Sequence, residues 1–390
     1  MTALYRSPVD LYSLEALADP YPIYDNLREG GPVAYLEKLG MYALTRFDHV
    51  QDALKTPEVF SSGQGVMMND AMNEATRDIM LCADGERHSH MRRLFQRPLM
   101  PKSLLDIKDQ ITQMAEELVE RLVAQGSFDA VADLAHYLPI TIISRLVGLP
   151  EEGRQNMMRW AADGFDCFGP MTPRLGPAFA SVQESVAYIR ENNHPGKVKP
   201  GSWTDQLHQT AKAAGLPPEA AVMMGLDYMG PSLDTTIFAI SSGVALFAQN
   251  PGEWDKLRDD PSLLPSAINE IIRVESPIQG FSRVTTMEHA FDGVTIPAQR
   301  RVIVLYGAAN RDPRKWDMPE RFLIDRQQHH DQLGFGRGSH TCAGSNLAKL
   351  EMIAIFSALI TRVARFEAGE GTRAVNSVLR GYTHLPVTIH

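Results

Sequence analysis

Cysteine is scarce in this chain: Cys82, Cys167 and Cys342 are the only three in 390 residues, odd in number and far apart. That argues against a disulfide framework and for a reducing compartment. Long apolar runs are lacking as well. A stretch such as "EMIAIFSALI" (351–360) is too short to cross a bilayer. The first residues, "MTALYRSPVDLYSLEALADPYPIY", hold no basic segment followed by an apolar one, so no signal peptide is expected. Internal repeats, low-complexity tracts and long linkers are also missing, and the expected organisation is a single unit over residues 1–390. Positive charge is not in excess. A formal net charge of −9 argues against nucleic acid or a membrane surface as a general partner. What is present is ordinary: 44% hydrophobic and 22% charged residues, the composition of a globular chain with a sizeable core. These features point to a soluble, cytoplasmic protein.

Most of the chain has helical spacing. In "SLLDIKDQITQMAEELVERLVAQG", Leu104, Ile107, Ile111, Met114, Leu118 and Leu122 fall on one stripe that stops at Gly126. Strand signals are confined to "PVAYLEKLGMYALTRF", where Lys38, Leu39 and Gly40 suit a hairpin turn, and to "HAFDGVTIPAQRRVIVLYG". The stretches "FGPMTPRLGP" and "NNHPGKVKPGS" interrupt the helical tract and read as surface turns or a lid. The expected class is mainly α with a small β portion.

Cys342 lies in "DQLGFGRGSHTCAG", with Phe335, Gly338, His340 and Gly344 at fixed offsets around it. Average residue usage gives that combination a chance probability of roughly 10⁻⁵ to 10⁻⁴ in a chain of this length. The apolar helix pattern "SNLAKLEMIAIFSALITRV" follows at once, so the cysteine precedes a helix N-terminus, where free amides and the dipole favour a thiolate. Glycines beside it let a flat ligand approach the backbone, an arrangement that suits a haem iron. A lone intracellular cysteine is more often a buried structural thiol; the spacing around this one reverses that reading. No second cysteine or histidine pair has zinc-ligand spacing.

The loop resembles the haem-binding loop of the cytochrome P-450 monooxygenases at each of those positions. The resemblance implies the fold of that family, a helix-rich triangular prism holding haem b (iron protoporphyrin IX) between a central helix and the cysteine-loop helix. It implies that Cys342 is the axial iron ligand, that Phe335 packs beside it and that His340 meets a haem propionate, with Gly344 completing the loop. His88 and Arg92, four apart in "DGERHSHMRRLFQ", share a helical face and resemble the family's propionate-binding pair. Arg283 in "IQGFSRVTT" matches an arginine for the other propionate. Glu270 and Arg273 in "NEIIRVESP", with Arg321 in "MPERF", match an internal network that braces the cysteine loop.

"MMGLDYMGPSLDTTIFAISSGVALFA" reads as one long apolar helix with Asp234, Thr235 and Thr236 in its middle. The family's central helix carries an acid and an alcohol at this place. Asp234 and Thr235 would hold water and relay protons to dioxygen. Pro231 and Ser232 depart from the usual small residues, and proline predicts a kink.

By the same resemblance the substrate pocket draws on Met67 and Met68, on Phe165, Phe168 and Phe179, and on Ser232 and Leu233. Ile278, Gln279 and Phe281, with Val378 and Leu379, complete it. That lining favours a small hydrophobic or aromatic molecule. "FSSGQGV" and "SPIQGFSR" look similar to stretches of bacterial members that oxidise para-substituted aromatic acids, often by O-demethylation. Gln64 stands where a basic anchor for the carboxylate is expected, so a neutral aromatic substrate fits equally well. The chain has no flavin or nicotinamide fingerprint, so electrons are expected from NADH or NADPH through a ferredoxin and its reductase. The unburied members of Arg92, Arg93, Arg97, Lys102 and Arg337 would form a docking face for an acidic ferredoxin. A peroxide-driven enzyme and a haem-binding sensor or carrier are the alternatives, and both have less use for Asp234 and Thr235.

Overall fold

Helices carry most of residues 85–275, and the computed structural model describes residues 3–390. Gly85–Phe95 (α1) turns into Pro101–Gln125 (α2), where Leu104, Ile111, Met114, Leu118 and Leu122 are all buried on one stripe. Pro101 opens α2, where a missing N–H is harmless, and Gly126 closes it in the left-handed region at φ 75°. Met157–Asp166 (α3) packs against Leu175–Asn192 (α4), and most of "FGPMTPRLGP" forms the link between them. Pro218–Met229 (α5), Asp234–Gln249 (α6), Leu264–Glu275 (α7) and Ser345–Ile360 (α8) follow. The cysteine-loop helix α8 packs on α2, α6 and α7, so α6 and the cysteine loop face one interior.

The β portion is small. Strands Tyr5–Ser7 (β1), Ala34–Leu36 (β2), Met41–Leu44 (β3), Phe60–Ser61 (β4), Gly280–Thr285 (β5) and Arg301–Leu305 (β6) form one sheet in the order β1-β2-β3-β6-β5-β4. The expected hairpin is β2–β3, Tyr35 opposite Tyr42, with Gly40 at φ 66° in its turn. Strand β5, antiparallel to β6, carries Arg283 and Phe281 into the interior.

The long helix expected across residues 223–248 is instead two helices. Helix α5 ends at Gly230, whose amide reaches the Leu226 carbonyl at 2.9 Å, and α6 starts at Asp234. Pro231 has no N–H to offer the preceding turn and its ring crowds the carbonyl one turn back, so the chain breaks where a kink was expected. The Leu233 carbonyl restarts the helix by accepting from Thr236 and Ile237, each at 3.1 Å. Asp234 therefore stands in the first turn of α6 and not in a helix middle.

Two stretches, Ala130–Val147 and Pro218–Gln249, are long and apolar enough by composition to cross a membrane, contrary to the reading of short runs. Both are interrupted, the first where a π-helical turn ends at Ala135 and the second at residues 230–233. The second is 78% buried inside the protein, which makes it core.

Candidate functional site

The cysteine loop is built by backbone bonds. The Leu333 amide donates to Asn310 Oδ1 at 2.7 Å, the Gly336 amide to the Leu333 carbonyl at 2.8 Å, and the Cys342 amide to the Phe335 carbonyl at 2.8 Å. Gly336 and Gly338 take φ of 69° and 71°, and a Cβ on Gly338 would lie 2.4 Å from the Leu54 carbonyl. A side chain at 338 is thus excluded twice, by conformation and by space. Cys342 keeps free surface although protein closes round it, so its sulfur opens to an interior cleft, while Cys82 and Cys167 are buried. Burial pushes the Cys342 thiol up, against the downward pull of the Gly344 amide, Arg92, the Ser345 amide and Lys349. The helix start favours a thiolate, as expected, but burial outweighs it. A metal ion bound to the sulfur would favour the thiolate.

Four basic side chains, His88, Arg92, Arg283 and His340, lie close to one another, and Arg92 also acts on the sulfur. His88 and His340 lie with ring centroids 4.1 Å apart, and the Nε2 atom of each is buried without a partner. Burial, then the charges of His340 and Arg92, lower the pKa of His88 to about 4. His340 is lowered as well, chiefly by burial and then by Arg283 and Arg92 against the opposing pull of Asp84, whose Oδ1 is 3.6 Å from its Nε2. Asp84 is itself held well below the usual carboxylate range. Burial raises it, but His340, the Ser61 hydroxyl at 2.6 Å and the Gly63 and Ser62 amides outweigh burial. Arg92 donates to the Thr341 carbonyl next to Cys342, and Arg283, 3% exposed, donates to the Ser282 carbonyl at 2.8 Å. Two histidine Nε2 atoms without hydrogen-bond partners, crowded by each other and by two arginines, fit a ligand that brings carboxylates. A sulfur ligand beside two histidines and two arginines fits haem b with its two propionates.

The brace behind the loop is present, with one change of residue. Glu270 accepts from Arg273 Nε at 2.7 Å and Nη2 at 2.8 Å, and from Arg326 Nε at 3.1 Å, all three residues being buried. The expected third member, Arg321, is exposed and contributes only its carbonyl, which accepts from Arg273 Nη2 at 2.9 Å. The chain folds back after Arg321, so the side chain five residues later turns inward. Arg273 also donates to the Asn310 carbonyl at 2.8 Å, and Asn310 holds Leu333, so the network reaches the loop through two bonds. Glu270→Gln is expected to lower unfolding free energy by ~3–5 kcal/mol, since it leaves two buried guanidinium groups without their counter-charge. Chemical denaturation read by circular dichroism, with haem content measured alongside, checks this.

At the start of α6 Asp234 is 2% exposed, and its Oδ2 has no hydrogen-bond partner. Burial, then the charge of Asp163 on α3, raises its pKa to about 7. The Thr235 hydroxyl donates to the Pro231 carbonyl at 3.2 Å, so it is held by its own turn. Ser232 is half-buried, and Leu233 is fully buried.

The pocket side chains come together in part. Phe168 joins Phe165 and Phe281, with ring centroids 5.6 and 5.5 Å away, and Phe179 packs in the same cluster as Met67. Ile278 bridges to Leu379, and the Gln279 amide donates to the Val378 carbonyl at 2.8 Å. Gln279 Nε2 donates to the Glu275 and Ser276 carbonyls at 3.1 and 2.7 Å, while its Oε1 is buried without a hydrogen-bond partner. Met68 is buried in the main core, its amide bonded to the Phe168 carbonyl. Among the five basic residues expected to form a docking face, Arg93, Arg97 and Lys102 are exposed. Arg92 turns inward, and Arg337, half-buried, donates to the His330 carbonyl at 2.9 Å.

A helical shell that leaves one loop cysteine with free surface, beside two histidines whose Nε2 atoms lack hydrogen-bond partners and two inward arginines, defines a haem-thiolate protein. The chain belongs to the cytochrome P-450 family of monooxygenases. The family model described as "Cytochrome P450" matches residues 178–369. Cytochrome p450 CYP199A2 of Rhodopseudomonas palustris is 35% identical over 98% of this chain and 93% of its own length. Among solved structures, P450BioI, crystallised with an acyl carrier protein bearing hexadec-9Z-enoic acid, is 27% identical and has a TM-score of 0.86 over 96% of this chain and 100% of its own. CYP109E1 from Bacillus megaterium, in complex with testosterone, shares the fold at TM-score 0.85 and 24% identity, over 96% of this chain and 99% of its own. Members bind haem b through a cysteine thiolate, use dioxygen and draw electrons from redox partners.

Three side chains that the sequence reading left out belong to this region. Arg326 was signalled by a second arginine in "LIDR". Asp227 of α5 and Glu351 of α8 were signalled by carboxylates set among apolar residues. Burial alone raises Glu351 well above the usual carboxylate range, and its Oε1 has no partner.

Proposed function

We propose that this chain, acting as a single unit in the cytoplasm, inserts one atom of dioxygen into a small hydrophobic, aromatic substrate by hydroxylation or O-demethylation. A ferredoxin and its reductase supply the electrons. The observation that carries this reading is the conjunction of Cys342 in its loop, two nearby histidines whose Nε2 atoms lack hydrogen-bond partners, and a buried acid at the start of α6 with a pKa about 7. Cys342 would ligate the iron, His340, His88, Arg92 and Arg283 would hold the propionates, and Glu270, Arg273 and Arg326 would brace the loop. The bound haem supplies the electron-transfer and dioxygen chemistry.

The protein's own part is positioning and proton handling. The phenylalanine cluster excludes water and presents a flat apolar surface to the substrate. Asp234, able to gain and lose a proton near neutral pH, carries protons inward from its Oδ2. Thr235 joins that path when its hydroxyl leaves the Pro231 carbonyl. Without such a path, reduced dioxygen would escape as peroxide and the electrons would be spent without product.

The purified protein is expected to show a reduced carbon monoxide band shifted far to the red, the mark of thiolate ligation. With a ferredoxin pair, it is expected to consume NADH in step with product from small aromatic ethers. Product formed from peroxide alone, and none with ferredoxin, would replace this reading with a peroxide-driven enzyme. A red-shifted band with no turnover by either route would leave a sensor or carrier. Reversing charge at the exposed docking residues, as in Arg93→Glu with Lys102→Glu, is expected to raise the KM for ferredoxin about tenfold at low salt. Substrate affinity should not change, and steady-state kinetics across a salt series checks both.

A further inference from the structure

Beyond the groups already given roles, α5 carries Asp227, one turn before the break at residues 230–233. Its Oδ2 is buried and accepts no hydrogen bond. Burial raises its pKa to about 7, opposed only by the Met80 amide across from it. That amide belongs to the turn Met80–Cys82 just before α1, and the Cys82 thiol also lies within the carboxyl's field, as does Tyr228 on its own helix. No arginine, lysine or histidine among the described residues pairs with it. Two guanidinium groups act on Cys82 but not on Asp227: Arg301 donates to the Gly65 carbonyl and Ser282 Oγ, at 3.0 and 2.9 Å, and Arg283 to the Ser282 carbonyl. Around this turn the packing is apolar, with Ile79, Leu81, Phe168, Phe179 and Phe281 in one cluster with Cys82.

A carboxyl oxygen left without a donor in apolar surroundings is costly to the fold, and a ligand's donor removes that cost. We propose that Asp227 is a specificity-determining residue: it accepts a hydrogen bond from a hydroxyl or ammonium group at the far end of the aromatic substrate. The proposal rests on the monooxygenase reading and narrows it. Without a free basic side chain beside it, the same carboxyl repels an aromatic acid, the substrate class to which the flanking stretches bear likeness.

The test uses three ring compounds of one shape, 4-methoxybenzyl alcohol, 4-methoxytoluene and 4-methoxybenzoate, titrated into the haem-loaded protein by calorimetry. Wild type is expected to bind the alcohol most tightly and the benzoate least. Asp227→Leu is expected to lose about tenfold in affinity for the alcohol, to keep its affinity for 4-methoxytoluene and to gain affinity for the benzoate. Asp227→Asn, which still offers an acceptor, should retain most of the alcohol affinity. Equal losses for alcohol and 4-methoxytoluene would assign Asp227 to holding the Met80 turn and overturn the proposal. So would unchanged alcohol affinity in the leucine variant, a wild type that prefers the benzoate, or binding of none of the three. Failure of the monooxygenase reading shows separately, as loss of the red-shifted carbon monoxide band.

Discussion

Cys342→Ser is expected to abolish monooxygenase turnover, by at least about a thousandfold, or ~4 kcal/mol of activation free energy. The change is a single atom, sulfur to oxygen. The loop should survive it, because its closing bond runs from the 342 amide to the Phe335 carbonyl and its turns rest on Gly336 and Gly338. Unfolding free energy should therefore move by less than ~1 kcal/mol in the haem-free protein. The ligand field should not survive. A serine hydroxyl gives up its proton far less readily than a thiol, and the buried setting that already pushes Cys342 up would oppose an alkoxide more strongly. The carbon monoxide spectrum is expected to lose its far-red band while some haem stays bound through the histidine and arginine ring. A serine variant with that band intact would remove Cys342 from the iron and the proposed site with it.

Asp234→Asn is the second large effect. Proton delivery by a placed acid contributes about a hundredfold or more, so product formation should fall by that order while haem content holds. NADH consumption should fall less, with the difference appearing as peroxide. The pH profile carries the sign. A carboxyl that must be protonated to deliver its proton loses rate as pH rises through about 7, so wild-type turnover should decline there and the residual asparagine rate should stay flat. Stability gives an independent reading. The unfolded carboxyl ionises near pH ~4 and the folded one at about 7, so over that interval folding takes up a proton and wild-type stability falls as pH rises. The variant lacks this loss, and its advantage over wild type should grow from pH ~4 to ~7 and then level off. Unchanged product formation would take Asp234 out of the proton path.

The hairpin at residues 34–44, the helix ending at Gly126 and the cysteine loop were legible because each depends on local rules: a turn residue, a capping glycine, a fixed spacing. Sites built across the chain were less so. Arg321 and Arg326 both precede the loop, and only the fold-back after residue 321 decides which guanidinium turns toward Glu270. Proline in an apolar helix signalled a disturbance, yet whether it bends or breaks the helix depends on the packing of α5 and α6 on their neighbours. The upward push of burial on the Cys342 thiol was not legible, because a helix start is local whereas burial belongs to the whole assembly of loop, α1 and α8. Asp227 and Glu351 were visible as isolated acids, but sequence alone cannot tell a solvated acid from an enclosed one.

The interruption at residues 230–233 sets Asp227 on one short rod and Asp234 on another. A continuous helix would transmit any shift of one carboxyl to the other along its axis. Here the break at Pro231 interrupts that path. Selection for a new substrate, in nature or in the laboratory, can then act on the α5 acid while the α6 acid keeps its alignment, so acceptance and chemistry become separately adjustable traits of one scaffold.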